Sequence, residues 1–440
     1  MFIDRRRKAC PQLNFPMLTG DGYIIRLFPL LYQINSKAIN NIAITSLHLG
    51  NGIIEITQRG NIQCRGILKV YIRKIIAILN LIQNYYNSIL PIVLNPLILI
   101  NEKKNNLLTV FYKIQKLINN KNFSLRLSKC TIIIDKIGGF DYKLIQSYIR
   151  LILIKDNIYI GLYGNFYYTH WLGNCGIWEV HYIIIKLLKK LSELGIKKFK
   201  KIIYNIPMLI FNSIAVHNIV LDPGLHRIYY NYSILIISTK FGHICAKNLS
   251  MLAKTYQCIT LLPLPEKKIM IIGLPIILQG ILKKCKIYDI IYNKDVCLHI
   301  HPCIGYPRCK QAVFTSRNLA KYMISVMSIF DSSINIFLSG CSKFCSRPSL
   351  IDLNIIYYEN FYYLYQFTLA VVFEGMKNLK YMIIIKFSKI VMSINHILQI
   401  LAYYISKERI IKYKEIDCDV LYRIISTILY DNFENYINTN

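Results

Sequence analysis

Acidic residues are the first scarcity: Asp plus Glu number 23 against 54 Lys plus Arg, which gives the 440-residue chain a formal net charge of +31. Glycine (20) and proline (13) are also few, and this excludes a collagen-like or linker-dominated chain. A long uninterrupted apolar run is lacking too. The uncharged stretch Asn80 to Asn101 is broken by Gln83, Pro91, Pro96 and several Asn, whereas a spanning helix wants about 20 mostly apolar residues. It reads as a loop plus a buried strand. No apolar segment follows the basic run Arg5, Arg6, Arg7 and Lys8, so no signal peptide is expected. The expectation is a cytoplasmic protein without a membrane segment. No Ser/Gly-rich linker marks a domain boundary.

Hydrophobic residues make up 54% of the chain, too many for a disordered one, and the length suits two or three domains. Ile, Asn, Lys and Tyr dominate. These are the residues of AT-rich codons, so part of the basic excess is compositional drift. The remainder implies an acidic partner: nucleic acid, anionic lipid or a polyanionic small molecule. No RNA-binding aromatic motif accompanies the charge, and nucleic acid is not expected as a partner.

Periodicity locates several elements. Tyr23 to Leu27 reads as a strand. After the turn Gly50-Asn51-Gly52, Ile53 to Thr57 alternates Ile54 and Ile56 with Glu55 and Thr57. Past Arg59-Gly60, the strand Asn61 to Ile67 puts Asn61, Gln63 and Arg65 on one face and Ile62 and Cys64 on the other. That polar face is either a solvated outer face or a platform for a large anionic ligand. His181 to Leu194 carries Ile184, Leu187, Leu188 and Leu191 at helical spacing, with Gly195 as its stop. Lys200 to Ile206 reads as a basic strand. Thr315 caps a helix running to Met327. Ile334, Ile336 and Leu338 then alternate into Gly340-Cys341. Mixed strands and helices point to an α+β fold. Lys377 to the end reads as helical packing.

Thirteen cysteines, an odd number without a secretion signal, argue against a disulfide framework. Cys10, Cys64, Cys130, Cys175, Cys245, Cys258, Cys285, Cys297 and Cys418 stand alone and read as small buried hydrophobes. The other four form two pairs: Cys303 and Cys309 with five residues between them, and Cys341 and Cys345 with three. Two close pairs brought together by one folding unit suit a four-iron cluster, because each thiolate must reach a different corner of one compact cube. Zinc also takes paired thiols, though usually two to four residues apart, and coincidence is the third reading.

Longer motifs add a resemblance. Arg6-Arg7-Lys8-Ala9-Cys10-Pro11, Pro16-Met17-Leu18-Thr19-Gly20-Asp21-Gly22, and the stretch from Gly50-Asn51-Gly52 through Thr57-Gln58-Arg59-Gly60-Asn61-Ile62-Gln63-Cys64-Arg65-Gly66 resemble the precorrin-3B synthases of the sulfite/nitrite reductase superfamily. His301-Pro302-Cys303-Ile304-Gly305 and Ser339-Gly340-Cys341-Ser342-Lys343-Phe344-Cys345-Ser346-Arg347-Pro348 resemble that family's two cysteine motifs, in the same order.

The resemblance implies pseudo-duplicated α+β halves with ferredoxin-like segments. Residues 1–80 would form an N-terminal ferredoxin-like substrate segment and 81–160 a first reductase-like segment. A second ferredoxin-like half would cover 161–295 and the cluster segment 296–375, with a helical extension over 376–440. The family's reaction hydroxylates precorrin-3A, an octacarboxylate tetrapyrrole, with molecular oxygen and closes a lactone in aerobic cobalamin biosynthesis. The alternative is a sirohaem-dependent sulfite or nitrite reductase. A [4Fe-4S] cluster on Cys303, Cys309, Cys341 and Cys345, a mononuclear non-haem iron without assigned ligands, and an electron donor are implied. Arg59 and Arg65, with Arg26 behind them, are the expected carboxylate holders, since a guanidinium fork grips carboxylate bidentately. A lysine beside the tetrapyrrole is either Lys240, in Lys240-Phe241-Gly242, or Lys129 by chain order. Pro207 is followed by Met208-Leu209 where the superfamily carries an aromatic-Arg pair, which argues mildly against sulfite or nitrite reduction. His299 and His301 flank the cluster loop and read as structural.

Overall fold

The computed structural model describes residues 11, 13, 15–27, 34–83, 92–95, 106–120, 130–136, 145–154, 156–166, 169–203, 222–229, 232–288, 290–292, 298–312, 315–327, 335–341, 346–348, 353–358, 367–373 and 381–387. The first of these form a ferredoxin-like unit. Strand β1 (Met17–Thr19) turns into β2 (Gly22–Leu27), and β3 (Ile34–Asn35) leads into helix α1 (Ser36–Leu49). The Asn35 side chain caps α1 by accepting from the Ala38 N–H at 2.9 Å, which satisfies one of the donors a helix start leaves open. Strands β4 (Ile53–Ile56) and β5 (Ile62–Ile67) and helix α2 (Ile72–Gln83) follow. Ile25, Leu27, Ile54, Ile56, Ile62 and Cys64 turn one face of the antiparallel β2-β5-β4 sheet into core, as their alternation dictates.

A second layer holds β6 (Ile92–Leu94), α3 (Asn106–Asn120), β7 (Ile132–Lys136), β8 (Ser147–Ile154), β9 (Asn157–Gly164) and β10 (His170–Gly176). Strands β6, β7 and β8 run parallel, and β9 and β10 return antiparallel. The strand expected inside Asn80 to Asn101 is β6, with all three of its residues buried, as a parallel strand covered on both faces requires. Among the described residues no helix is long and apolar enough to cross a membrane. Helix α4 (Val180–Ile203) breaks at Gly195, whose φ of 72° is left-handed. It then continues through Ile203, so the basic strand expected from Lys200 is corrected to helix. Ile196, Phe199 and Ile203 already stand at helical spacing.

Next come β11 (Gly224–Tyr229), β12 (Tyr232–Thr239), β13 (His243–Cys245), α5 (Ala246–Thr255), β14 (Thr260–Leu264), β15 (Lys268–Gly273), α6 (Pro275–Lys283) and β16 (Ile290–Ile291). Apart from the added β16, which pairs with β12, these repeat the first unit, element for element. One sheet runs β1-β2-β5-β4-β13 and the other β11-β12-β15-β14-β3, so each repeat lends its third strand to the sheet of the other. Strand β12 is buried on both faces. Leu235 and Ile237 join the core shared by the two repeats, while Ile234 and Ile236 join the core of the β6–β10 sheet.

The chain divides into two compact units, Met1–Lys294 and Asp295–Asn440. The second contains β17 (Ile300–Pro302), α7 (Ser316–Met327), β18 (Ile336–Ser339), β19 (Leu353–Tyr358), β20 (Phe367–Phe373) and β21 (Tyr381–Phe387). Its sheet has three parallel strands, β17, β18 and β19, followed by antiparallel β20 and β21, the same plan as β6 to β10. Both levels of the fold are therefore duplicated, as expected of the α+β halves. The helical reading of 376–440 is corrected at Tyr381–Phe387, where the run Ile383-Ile384-Ile385 is β-branched and lacks helical spacing. Residues 388–440 lie outside the described ones.

Candidate functional site

Strand register lays one polar row across the first sheet. Arg26 faces Gln63 on the neighbouring strand, Gln63 faces Glu55, and Glu55 faces His243. The row lies opposite the core residues Ile25, Ile54 and Cys64. With the Gln63 amide oxygen turned toward it, Arg26 donates from Nε and Nη2 at 2.8 and 2.7 Å. Gln63 and Arg65 are only 5% and 3% exposed, so the polar face is covered, not solvated.

Arg65, expected to hold substrate, is already committed. Its Nε and Nη2 donate to the two Asp21 carboxylate oxygens at 3.1 and 3.0 Å, and its Nη1 donates to Glu55 Oε2 at 3.3 Å. Asp21 also accepts from the Thr19 hydroxyl at 2.8 Å and from Asn51 Nδ2 at 3.3 Å. The Asn51 N–H donates to the Arg65 carbonyl at 3.0 Å. Gly66 closes the knot. Its φ is 68°, and a Cβ there would stand 2.4 Å from the Asn51 Cβ. The Thr19–Gly22, Gly50–Gly52 and Arg65–Gly66 segments thus form one polar knot, with Arg65 as a strut instead of an open carboxylate grip.

Arg59 differs. It sits half-buried at the tip of the β4–β5 hairpin, bridged by its backbone to Pro265, while the Gln58 carbonyl accepts from the Glu266 N–H at 3.0 Å. Its guanidinium holds no hydrogen bond or ion pair among the described residues, yet its field reaches Cys130 and Tyr148. Burial pushes the Cys130 thiol up to about 12, and Arg59 opposes the rise. Burial likewise raises Tyr148, helped by the Tyr163 phenol beside it, and Arg59 again opposes. The Tyr148 and Tyr163 rings meet edge to face at 5.1 Å. Asn61, 2% exposed, has a side-chain oxygen that meets no donor. An unmet buried acceptor costs about 1–3 kcal/mol, a cost that a ligand N–H or O–H would remove. Strand β13 brings Lys240 to this sheet, three residues before His243, with its Nζ 6.0 Å from the Phe241 ring centre. Lys129 lies outside the described residues, as does Pro207 with its neighbours.

The second repeat shows the same row without polarity. Ile236 faces Met270, and Met270 faces Leu262, where the first repeat has Arg26, Gln63 and Glu55. All three are buried against the β6–β10 sheet. Each such apolar side chain gains about 1.5–3 kcal/mol on burial, whereas an unpaired buried charge costs several kcal/mol. Packing fills one face, and the other keeps charged and amide groups.

Both thiol loops leave the same end of adjacent parallel strands. Cys303 follows β17, and its N–H donates to the Leu338 carbonyl on β18 at 2.8 Å; Cys341 begins two residues after β18. Cys303 Sγ is buried and accepts from the Gly340 N–H at 3.2 Å, the kind of donor that steadies a thiolate. Cys309 closes the first loop, donating its N–H to the Gly305 carbonyl at 2.8 Å. Cys345 lies outside the described residues. Among those described, no three His, Cys, Asp or Glu side chains gather for one metal ion. Soft sulfur donors supplied as pairs by adjacent loops, one already bonded by a backbone N–H, fit a thiolate-held cluster. His299 Nδ1 lies within hydrogen-bond distance of Asn335 Oδ1, at 3.2 Å.

Sequence reasoning missed Asp21 and His243 as members of the site; Asp21 had a visible signal, its place in a glycine-rich turn, whereas Glu55 is legible from its alternation with Ile54 and Ile56. Of the isolated cysteines, Cys64, Cys130 and Cys175 are buried as expected. Cys245 and Cys258 are corrected to exposed and Cys285 to half-buried. Cys245 ends a three-residue edge strand on its outward face, and Cys258 lies in the turn after α5. Cys10, Cys297 and Cys418 lie outside the described residues.

The fold is the duplicated α+β architecture also found in the NirA protein of Mycobacterium tuberculosis, with a TM-score of 0.60 and 12% sequence identity over 82% of this chain and 78% of that one. In sequence, the chain is homologous to a precorrin-3B synthase from a Sinorhizobium species, 23% identical over 372 residues, which cover 80% of this chain and 81% of that enzyme. No family model matches.

Proposed function

We propose that this chain converts precorrin-3A to precorrin-3B, hydroxylating an octacarboxylate tetrapyrrole with molecular oxygen and closing a lactone in aerobic cobalamin biosynthesis. The observation that carries the reading is the polar row Arg26–Gln63–Glu55–His243, buried at Gln63 and half-buried at the other three, with Arg59 uncommitted at its hairpin end and the Asn61 side-chain oxygen lacking a donor among the described residues. A large ligand with many carboxylates suits that surface, and the Sinorhizobium enzyme supports the choice. Arg59 and Lys240 would hold carboxylates, Arg26 would be oriented by Gln63, and Arg65 would brace the sheet. Cys303, Cys309, Cys341 and Cys345 would hold a four-iron cluster, which supplies electrons one at a time when bound. A reductase of sulfite or nitrite is disfavoured, because a small anion needs concentrated positive charge and here Asp21 and Glu55 neutralise Arg65.

Heavy-oxygen gas should place its label in the hydroxylated product, read by mass spectrometry after incubation with precorrin-3A, a reductant and the enzyme. Label arriving from water, or turnover of sulfite at a matching rate, would move the assignment to the reductase class.

Substrate affinity gives a second expected outcome. Arg59→Ala should weaken tetrapyrrole binding by about 1.5–3 kcal/mol, the scale of a hydrogen bond to a charged group. Arg59→Lys should recover part of it, since an ammonium keeps the charge but loses the fork. Equal affinities at matched folding would remove Arg59 from the site.

A further inference from the structure

The cluster loops contain a hydroxyl whose surroundings give it a choice. Ser316 opens helix α7 and is fully buried. It is not the residue that caps the helix by its backbone: the Thr315 carbonyl accepts from the Asn318 and Leu319 N–H groups at 3.0 and 3.2 Å. The Ser316 side chain turns instead to Cys303. Its Oγ lies 2.9 Å from the Cys303 carbonyl oxygen and 3.4 Å from Cys303 Sγ.

A serine hydroxyl has one hydrogen to donate. While Cys303 is a thiol, both bonds can be made at once: Ser316 donates to the carbonyl, and the S–H donates to Ser316 Oγ. Once the sulfur is a metal-bound thiolate there is no S–H, and sulfur can only accept. The hydroxyl hydrogen is then drawn to the more negative acceptor, since hydrogen bonds to ionised groups are roughly twice as strong as neutral ones. The Gly340 N–H already reaches the same sulfur at 3.2 Å, so this one ligand would carry two donors.

We infer that Ser316 is a positioning residue that raises the reduction potential of the cluster by donating its hydroxyl hydrogen to the Cys303 sulfur. The inference rests on the cluster reading of the two cysteine loops. Reduction adds negative charge to the cluster and its thiolates, so a donor aimed at sulfur stabilises the reduced state more than the oxidised one.

The test is a redox titration of anaerobically purified full-length protein, followed by its visible absorbance and the spin signal of the reduced cluster. Ser316→Ala should shift the midpoint to more negative potential, while iron and sulfide content stays at the wild-type level. Ser316→Thr should titrate close to wild type. Ser316→Val, which has threonine's shape without the hydroxyl, should follow Ser316→Ala. Equal midpoints for the threonine and valine proteins would overturn the inference. In unaltered protein moved into heavy water, pulsed magnetic resonance should find two deuterons coupled to the cluster: one exchanging fast, from the hydroxyl, and one slowly, from the Gly340 amide. A slow one alone would overturn the inference even if no Ser316 variant folded. A wild-type protein without iron and sulfide would instead sink the cluster reading itself.

Discussion

Arg65→Ala should unfold at markedly lower denaturant concentration than the wild type, with a loss of about 3 kcal/mol, the lower end of what removing one partner from a buried ion pair costs. The lower end applies because Asp21 and Glu55 keep 13% and 15% of their side-chain surface exposed, while Arg65 keeps 4%. Removing the guanidinium strands two carboxylates and frees Asn51 from a neighbour it helps to fix. Arg65→Lys should rescue poorly, because one ammonium cannot bond two Asp21 oxygens and Glu55 in the same plane. The double change Arg65→Met with Asp21→Asn should be less damaging than Arg65→Met alone, since it removes one stranded charge as well. Chemical denaturation of the four proteins checks this. If Arg65→Ala lost less than a surface substitution does, and weakened only tetrapyrrole binding, Arg65 would return to the role of carboxylate holder.

The contrast between Arg65 and Arg59 shows where sequence reading stops. Alternation in Ile53 to Ile67 correctly separated Glu55, Gln63 and Arg65 from Ile54, Ile62 and Cys64, because a strand's side chains have period two whatever surrounds it. It also gave the hairpin and both glycine turns. It gave no means of knowing that the polar face is covered, or that Asp21, 44 residues away, would reach back to Arg65. Pairing partners from distant segments decide such things. Strand β13 is the clearest example: His243 enters the polar row only because the second repeat lends a strand to the first, and nothing in residues 243–245 announces that exchange. Exposed Cys245 has the same origin. Conversely, helix α4 continues past Gly195, its expected stop, and the helical spacing of Ile196, Phe199 and Ile203 is the signal for it.

Duplication makes the candidate sites intelligible as pairs of choices. In the ferredoxin-like repeats, one face carries Arg26, Gln63 and Glu55, and its counterpart carries Ile236, Met270 and Leu262. In the other pair of sheets, the residue after β6 is Asn95 and the residue after β17 is Cys303. Their N–H groups donate to the matching carbonyls, Ile134 at 2.9 Å and Leu338 at 2.8 Å. In the first of these sheets Asn95 Nδ2 donates to Asp135 Oδ1 at 2.7 Å, deeply buried. A satisfied amide–carboxylate pair occupies the strand ends there, whereas thiols occupy them in the second. Each duplicated position has thus been resolved once by self-satisfied packing or hydrogen bonding and once by groups suited to a guest.

That division sets the largest expected effect on the cofactor. Cys341→Ser and Cys303→Ser should each lose most of the iron–sulfur absorbance, because a four-iron cube has one thiolate per corner and serine is a harder, poorer ligand for iron. Cys303→Ser should be the more disruptive, since its sulfur also accepts from Gly340 and contacts Ser316. A shorter oxygen would leave the Gly340 N–H without a partner at its present distance. Cys258→Ser, in an exposed turn, should retain the full cluster, and so should Cys64→Ser, whose thiol is packed inside the apolar core of the ferredoxin-like repeats and pushed up to about 12 by complete burial. Iron and sulfide analysis after anaerobic purification, beside a thermal melt for each variant, separates ligand loss from unfolding. Full cluster content in a folded Cys341→Ser protein would remove that residue from the ligand set, and the paired-loop argument would fail with it.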